Sequence, residues 1–175
     1  HSPIEREFVA RLTFDGIIED DQELYALIDD VADNPKAKAV ILWLDTPGGS
    51  AVAGEEVFLR LRALAEQKPI VAVMRSVSAS AGYMIALGAD HIVAREGTIT
   101  GSIGVLIESA EITELAQKIG VTPIIIKSSD LKGTPSFLEK NTPEAERIIH
   151  EMIMDFHSRF VDMVAQRRKL PRDTA

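Results

Sequence analysis

Two short segments carry residues whose types and spacing could stabilise an anion and supply a nucleophile. Residues 47–49 (PGG) follow the apolar run 39–44 (AVILWL), and residues 76–82 (SVSASAG) follow the apolar run 70–74 (IVAVM). Paired glycines let a backbone N–H approach a ligand closely, and free N–H groups at a helix start favour a developing anion. Each segment also has an ordinary interpretation, a tight turn for the first and a helix cap for the second.

A serine nucleophile needs a base, and histidine and lysine are the candidates that the sequence offers. The four histidines are His1, His91, His150 and His157. None of them lies in a loop that is predicted to cover the strand ends. Lys127, Lys132 and Lys140 lie in or beside the polar segment 128–142, which follows another predicted strand.

A surface lysine is usually solvated, so its use as a base sets a physical condition. Its pKa must fall from about 10.4 to about 7–8, which requires burial without a carboxylate partner. Asp130 lies two residues from Lys132, and an ion pair between the two would remove Lys132 as a base.

The order of elements indicates how the two segments are positioned. Strands are predicted at residues 8–14, 39–44, 70–74, 91–94, 104–107 and 122–127. Helices are predicted to end at about Asn34, Gln67, Leu87 and Ile119, and a long last helix to run from Pro143 to about Arg168. This alternation predicts an α/β fold with a mainly parallel sheet and right-handed crossovers. Ligands bind beyond the carboxyl ends of such strands, so one N–H from each segment could converge on one oxygen as an oxyanion hole.

Composition excludes several classes of function. Lys and Arg total 19 against 27 Asp and Glu, and the net charge of −8 disfavours nucleic-acid binding. The absence of Cys removes disulfides, thiolate zinc sites and cysteine proteases. No H-E-x-x-H pattern or carboxylate cluster suggests a metal site, and no cofactor is expected. The length of 175 residues and the 46% hydrophobic content fit a single domain over residues 1–175, without a run of about 20 apolar residues that could span a bilayer.

Four segments, in this order and spacing, resemble the signal peptide peptidase A family of Ser/Lys-dyad proteases, which have the Clp protease/crotonase-like fold. They are residues 45–50 (DTPGGS), 78–83 (SASAGY), 100–105 (TGSIGV) and 128–135 (SSDLKGTP). The similarity extends from the first strand to the last helix. It implies a serine endopeptidase that hydrolyses remnant signal peptides and other apolar peptides, with no cofactor or metal.

The resemblance also implies a role for individual residues. These are Ser80 as nucleophile, Lys132 as general base with Lys127 as the fallback, Ser102 as the residue that positions the lysine, and the N–H groups of Gly49 and Ala81 as the oxyanion hole. Two positions depart from the family pattern. Ala81 replaces the usual glycine but keeps its N–H, and Gly133 replaces the usual aspartate, which leaves the register between Lys132 and Lys127 open.

Members of this family are membrane-anchored, and their protease domains lie outside the cytoplasm in homo-oligomeric rings or domes. The resemblance therefore implies an anchor before His1, a further strand and helix after Ala175, and a site whose serine and lysine come from one subunit or from two. Two other functions stay open on the sequence. One is a crotonase-type acyl-CoA enzyme on the same fold, and the other is a non-catalytic, membrane-associated scaffold.

Overall fold

The computed structural model describes residues 6–175, which form an α/β fold on a parallel sheet. Within these residues the strands are β1 (Phe8–Ile18), β2 (Ala37–Gly49), β3 (Ile70–Ala79), β4 (His91–Val93) and β5 (Ile99–Gly101). The helices are α1 (Gln22–Asp33), α2 (Ala51–Ala65), α3 (Ala81–Leu87), α4 (Thr113–Lys118) and α5 (Pro143–Arg168), followed by a 3-10 turn at Arg172–Thr174. The strand pairs are parallel in the order β1-β2-β3-β4, and β5 also pairs with β3. The predicted α/β class, mainly parallel sheet and long C-terminal helix are confirmed.

Side-chain alternation decides which face of the sheet forms the core. Leu12 of β1 and Leu42 and Leu44 of β2 are at most 1% exposed, and Leu61 of α2 is fully buried with them. Burying each such side chain contributes about 1.5–3 kcal/mol. Trp43, on the opposite face of β2, is only half-buried. A wholly apolar run such as 39–44 is typical of a strand that is buried on both faces, but the second face of β2 is only partly covered.

The helices begin where the sequence supplies a cap. Asp21 precedes α1, and its Oδ1 accepts the N–H groups of Glu23 at 3.0 Å and Leu24 at 3.1 Å. A carboxylate in this position satisfies N–H groups that have no partner inside the helix. Pro143 opens α5, where its missing N–H and fixed φ cost nothing. None of the helices between residues 6 and 175 combines the length and the apolar character that a bilayer crossing requires.

The described chain forms two compact units, residues 6–104 with 158–175 and residues 105–157. The prediction of a single domain over residues 1–175 stays a prediction. In the second unit, residues 128–142 form a loop, as the sequence indicated, and Ile112 N–H donates to Phe137 O at 2.8 Å just before α4.

Two predicted strands, at residues 104–107 and 122–127, are wrong. The described chain has no strand after Gly101, and a strand forms only where a neighbour accepts and donates its ladder hydrogen bonds. Ile124 and Ile126 are 85% and 94% exposed, so the apolar run at 122–127 has no core to face within residues 6–175. Conversely, β5 was not predicted, because its sequence (ITG) carries one large apolar residue.

Small residues let α2 and α3 approach each other beside the sheet. A Cβ atom placed on Gly54 of α2 would lie 2.8 Å from Ala81 Cβ, and one placed on Gly88 would lie 2.8 Å from Leu61 Cβ. These distances are shorter than carbon atoms tolerate, so glycine at both positions sets the separation of the two helices.

We predict that Gly54→Ala destabilises the protein, although alanine favours an exposed helix interior by about 1 kcal/mol over glycine. Overpacking against Ala81 should lower the free energy of unfolding by about 1–3 kcal/mol in urea titrations. Gly97→Ala is the control, since nothing lies within 4 Å of its Cβ position. Its effect should stay within about 0.5 kcal/mol. A Gly54→Ala protein as stable as the parent would show that this contact does not limit the packing.

Candidate active site

The carboxyl ends of β2 and β3 lie side by side, and the two segments that the sequence singled out meet there. Thr46 pairs with Ser78 in the ladder between these strands. A Cβ atom placed on Gly48 would lie 2.7 Å from Ser80 Cβ and 3.1 Å from Ala81 N. The turn after β2 therefore contacts the start of α3 directly.

Ser80 has a backbone conformation that residues with a side chain rarely adopt, with φ 53° and ψ −122°. Hydrogen bonds on both sides hold it there. Its N–H donates to Gly101 O at 2.9 Å, and its carbonyl accepts the N–H groups of Tyr83 at 2.8 Å and Met84 at 3.0 Å. Such a conformation costs about 1–3 kcal/mol, and residues of this kind cluster at active sites. The Ser80 side chain is partly exposed and makes no capping bond to α3, so its hydroxyl is available to a ligand.

Some backbone N–H groups near Ser80 already donate a hydrogen bond, and others do not. Ala81 opens α3, and its N–H has no acceptor within residues 6–175. Gly48 N–H donates to Thr46 Oγ1 at 3.1 Å and is engaged. Ser50 N–H donates to Ile18 O of β1 at 2.8 Å. Gly49 pairs with Ile18 in the β1–β2 ladder, and a Cβ atom placed on Gly49 would collide with Ile18 O.

Glycine at position 48 keeps the Ala81 N–H uncovered. Gly48 has φ +109°, which side-chain-bearing residues rarely adopt, and a side chain there would collide with Ser80 and Ala79 O. A larger residue would also cover the Ala81 N–H. The arrangement therefore leaves the Ala81 N–H open to an oxygen atom beside Ser80. The role of Gly49 as a second donor stays a prediction.

Three polar residues that the sequence reasoning did not single out fix this arrangement. Thr46 is fully buried, and a Cβ atom placed on Gly82 would lie 2.5 Å from its Cγ2. Asp45 Oδ1 accepts the Val77 N–H at 3.1 Å. Thr100 Oγ1 donates to Ser78 O at 2.9 Å. The sequence signal that could have identified Asp45 and Thr46 is their position directly after a buried apolar run. A strand end with only a structural role does not require polar side chains there.

Ser102 directly follows Gly101, whose carbonyl oxygen accepts the Ser80 N–H. Ala79 pairs with Gly101 in the β3–β5 ladder, and Gly101 O accepts the Ser80 N–H. Ser102 follows at φ 51°, with an exposed side chain. The start of the third sequence segment, at Thr100 and Gly101, therefore lies beside Ser80. The positioning role of Ser102 stays a prediction.

The two candidate lysines lie in the second unit and have different surroundings. Lys132 is exposed, its N–H donates to Ser129 O at 3.1 Å, and its Nζ has no hydrogen bond or ion pair within residues 6–175. Lys127 Nζ lies 2.5 Å from Glu139 Oε2, with its side chain 17% exposed, and donates to Asp130 O at 3.3 Å. Asp130 therefore does not pair with Lys132 in the described chain, and Lys127 is the lysine that is already engaged.

The histidines do not supply an alternative base in the first unit. His91 pairs with Val71 near the start of β3, nine residues before Ser80. At about 3.3 Å per residue this places it roughly 30 Å from Ser80 along the strand. His150 and His157 lie on α5, in the second unit, and His1 lies outside the described residues. Residues 6–175 contain no group of three or more His, Cys, Asp or Glu that could hold a metal ion.

The far end of α3 is held by two arginines. Arg167 of α5 donates from Nε to Leu87 O and from Nη2 to Ala89 O, each at 2.9 Å, and Arg62 of α2 donates from Nη1 to Gly88 O at 2.9 Å. Burial, with a smaller contribution from neighbouring Arg62, lowers the pKa of Arg167 from its ordinary value. These bonds satisfy the last carbonyls of α3 and thus help to fix the helix that carries Ala81.

Comparisons with known proteins show the family of this chain. The sequence model of Peptidase family S49 matches residues 62–175. A putative protease of Synechocystis sp. is 39% identical over 135 residues, 77% of this chain and 49% of that protein. A putative signal peptide peptidase SppA of Enterococcus faecium is 34% identical over 141 residues, 80% of this chain and 41% of that protein. The chain thus spans less than half the length of each of these two relatives.

Among solved structures, a ClpP1 variant from Listeria monocytogenes matches with a TM-score of 0.54 and 13% identity, over 94% of this chain and 75% of that chain. A variant of the 1510-N membrane-bound stomatin-specific protease matches with a TM-score of 0.50 and 20% identity, over 97% of this chain and 72% of that chain. At these identities the likeness shows the fold alone, and it confirms the expected ClpP-like fold.

We predict that glycine is better tolerated than alanine at position 80, because glycine adopts a positive φ without steric cost. Ser80→Gly should exceed Ser80→Ala in free energy of unfolding by about 1 kcal/mol in urea titrations. The matched control is Ser76, which lies inside β3. There the glycine variant should be less stable than the alanine variant by about 0.5–1 kcal/mol. The same order of stability at both positions would mean that Ser80 is not strained.

Proposed function

The chain belongs to peptidase family S49, and we propose that it hydrolyses peptide bonds as a serine protease with Ser80 as its nucleophile. One observation carries the proposal most directly. Ser80 is held at φ 53° by Gly101 O, immediately before an Ala81 N–H that has no acceptor in the described chain. A nucleophile and an oxyanion donor are then adjacent in sequence and in space, which acyl transfer requires.

The proposed reaction proceeds through an acyl-enzyme. Ser80 Oγ attacks the peptide carbonyl carbon while its proton passes to the neutral amine of Lys132. The carbonyl oxygen becomes an oxyanion and accepts hydrogen bonds from the N–H groups of Gly49 and Ala81, each worth about 3–4 kcal/mol in the transition state. The C–N bond then breaks, and Lys132 returns the proton to the leaving amine. Water repeats the sequence on the ester and frees Ser80.

Lys132 is the better candidate for the base. That its amine approaches Ser80 Oγ is itself part of the proposal. Lys127 is paired with Glu139, and an amine in an ion pair is stabilised in its charged form. Lys132 has no such partner within residues 6–175. It is exposed there, so we propose that assembly or bound peptide supplies the burial that a neutral amine requires. Ser102, next to the Gly101 carbonyl that holds Ser80, is proposed to accept or donate a hydrogen bond that orients the lysine. The lysine would come from the same chain or from a second copy.

The proposal extends to the assembly and to the substrates. In the second unit, Leu106, Ile124 and Ile126 are 71%, 85% and 94% exposed, and large apolar side chains in such numbers favour contact with another copy of the chain. Remnant signal peptides and other apolar peptides, met at the extracytoplasmic face of a membrane, are the proposed substrates. The relative from Enterococcus faecium that is named a putative signal peptide peptidase supports this choice.

The conformation of Ser80 also bears on the two other candidate functions. A crotonase-type acyl-CoA enzyme would use the two N–H donors without needing a strained serine beside them. A scaffold would need neither. Backbone strain clusters at functional residues, so strain at a serine that makes no side-chain cap supports the protease.

We predict that Ser80→Ala and Lys132→Ala each lower kcat/KM for a fluorogenic apolar peptide by on the order of 10³-fold or more, because a nucleophile and its base act as a unit. The full-length, assembled protein is the material for this measurement. Lys127→Ala is the matched control and should retain most of the activity, since Lys127 is engaged with Glu139.

The control also decides between the two lysines. Loss of activity in Lys127→Ala with an active Lys132→Ala protein would transfer the role of base to Lys127. Full activity in Ser80→Ala, with the assembly intact by sedimentation, would remove Ser80 as the nucleophile. Failure of a serine-reactive phosphonate to label the parent protein at Ser80 would count for the scaffold.

A further inference from the structure

One face of the sheet carries an arginine cluster that the proposed reaction does not use. Residues of β1 to β3 alternate between the core and this face, which is half-buried or exposed. Arg11 of β1, Trp43 of β2 and Arg75 of β3 lie on it. The guanidinium carbons of Arg11 and Arg75 lie 6.0 Å and 4.8 Å from the centre of the Trp43 ring. The ring is thus contacted by two cations.

A cavity of about 650 Å³ opens beside this ring. Arg95 lines it together with Trp43 and Arg75, and Val73 and Ile99 add apolar surface. We name the group formed by Arg11, Trp43, Arg75 and Arg95 the Trp43 surface. The volume of the cavity is in the range of those that bind small molecules or a few residues of a peptide.

The arginines of the Trp43 surface have no carboxylate partner. Arg11, Arg75 and Arg95 make no ion pair within residues 6–175, and their guanidinium groups donate to no acceptor there. Asp45, on the same face of β2, is engaged by the Val77 N–H. In a chain of net charge −8, three unpaired arginines on one surface run against the overall distribution of charge.

A cation–π contact with tryptophan leaves the donors of an arginine free. The ring attracts the positive charge without accepting its hydrogen bonds, so N–H groups that have no acceptor can still bind a carboxylate in bidentate fashion. The apolar walls suit aliphatic or aromatic side chains. A polyanion such as a nucleic acid would also meet the negative charge of the rest of the chain, whereas a short peptide with a few carboxylates would not.

From these observations we propose that the Trp43 surface binds acidic segments of peptide chains and so selects substrates with carboxylates away from the scissile bond. The selective role rests on the proposed protease function; the binding itself does not. Arg75 and Ser80 lie five residues apart at the end of β3, a separation of about 16 Å at 3.3 Å per residue. An extended peptide of about five residues spans this distance.

The chain offers a direct probe, because Trp43 is its single tryptophan. The full-length protein with Ser80→Ala, which keeps peptides intact, is titrated with a short apolar peptide that carries several glutamates. The signal recorded is the part of the tryptophan fluorescence that a Trp43→Phe variant lacks. The matched peptide has glutamine in place of glutamate. We expect the glutamate peptide to bind at least about tenfold more tightly, since charge-assisted bonds from arginine are worth about 1.5–3 kcal/mol.

Variants then assign the binding to this surface. Arg75→Gln and Arg95→Gln should each weaken binding of the glutamate peptide by about tenfold and leave the glutamine peptide unaffected. Arg147→Gln is the control, because Arg147 is exposed on α5 and pairs with Glu151. It should bind both peptides as the parent does.

Several outcomes would overturn the proposal. Equal affinity for the two peptides, or unchanged binding in Arg75→Gln, would remove acidic peptide as the ligand. Displacement of the peptide by inorganic phosphate or an oligonucleotide at equal concentration would make this a general anion site. A change of sedimentation coefficient in Arg75→Gln would make it a contact between copies.

The protease function is tested apart from this binding. With Ser80 intact, Arg75→Gln should raise KM for the glutamate peptide and leave kcat unchanged. Peptide binding without any hydrolysis by the parent protein would contradict the proposed function and support the binding surface. Hydrolysis with equal KM for both peptides would support the protease function and contradict the selective role of the Trp43 surface.

Discussion

The hydrogen bond from Ser80 N–H to Gly101 O, at 2.9 Å, is the contact on which the candidate site depends. It fixes the end of β3 against β5 and holds Ser80 in a conformation that a free chain would leave. The strain of about 1–3 kcal/mol has to be offset by packing around it. In return, the hydroxyl stands clear of α3 while the next N–H, on Ala81, stays without an acceptor in the described chain.

Glycines and buried polar residues maintain this geometry over a wider region. Gly48 approaches Ser80 and Ala81, and Gly82 packs on Thr46, whose own hydroxyl accepts the Gly48 N–H. Gly54 brings α2 against the same Ala81. The contacts therefore form a closed set around the start of α3, in which a single added methyl group displaces a neighbour. This explains why the site consists of such small residues: close backbone approach is what brings the turn after β2 against Ser80 and the Ala81 N–H.

Much of the fold and part of the site could be predicted from the sequence. The apolar runs at 39–44 and 70–74 predicted two neighbouring parallel strands, and the segments after them do meet. Strand ends were placed too early, because β2 and β3 continue through polar and glycine residues whose only signal is a backbone partner. The strand predicted at 122–127 failed for the opposite reason, since its isoleucines have no partner strand within residues 6–175. Ser80 strain, and the choice between Lys127 and Lys132 by ion pairing, depend on tertiary contacts that spacing does not encode.

The central claim is that Ser80 Oγ and the N–H groups of Gly49 and Ala81 address one carbonyl group. A crystal structure of the full-length, assembled protein after reaction with a peptidyl phosphonate tests it most directly. The account predicts a covalent bond from phosphorus to Ser80 Oγ and a phosphonyl oxygen about 2.7–3.1 Å from both backbone nitrogens. It also predicts Lys132 Nζ within about 2.6–3.2 Å of Ser80 Oγ. Phosphorus on another residue, or a phosphonyl oxygen turned away from both nitrogens, would contradict the account.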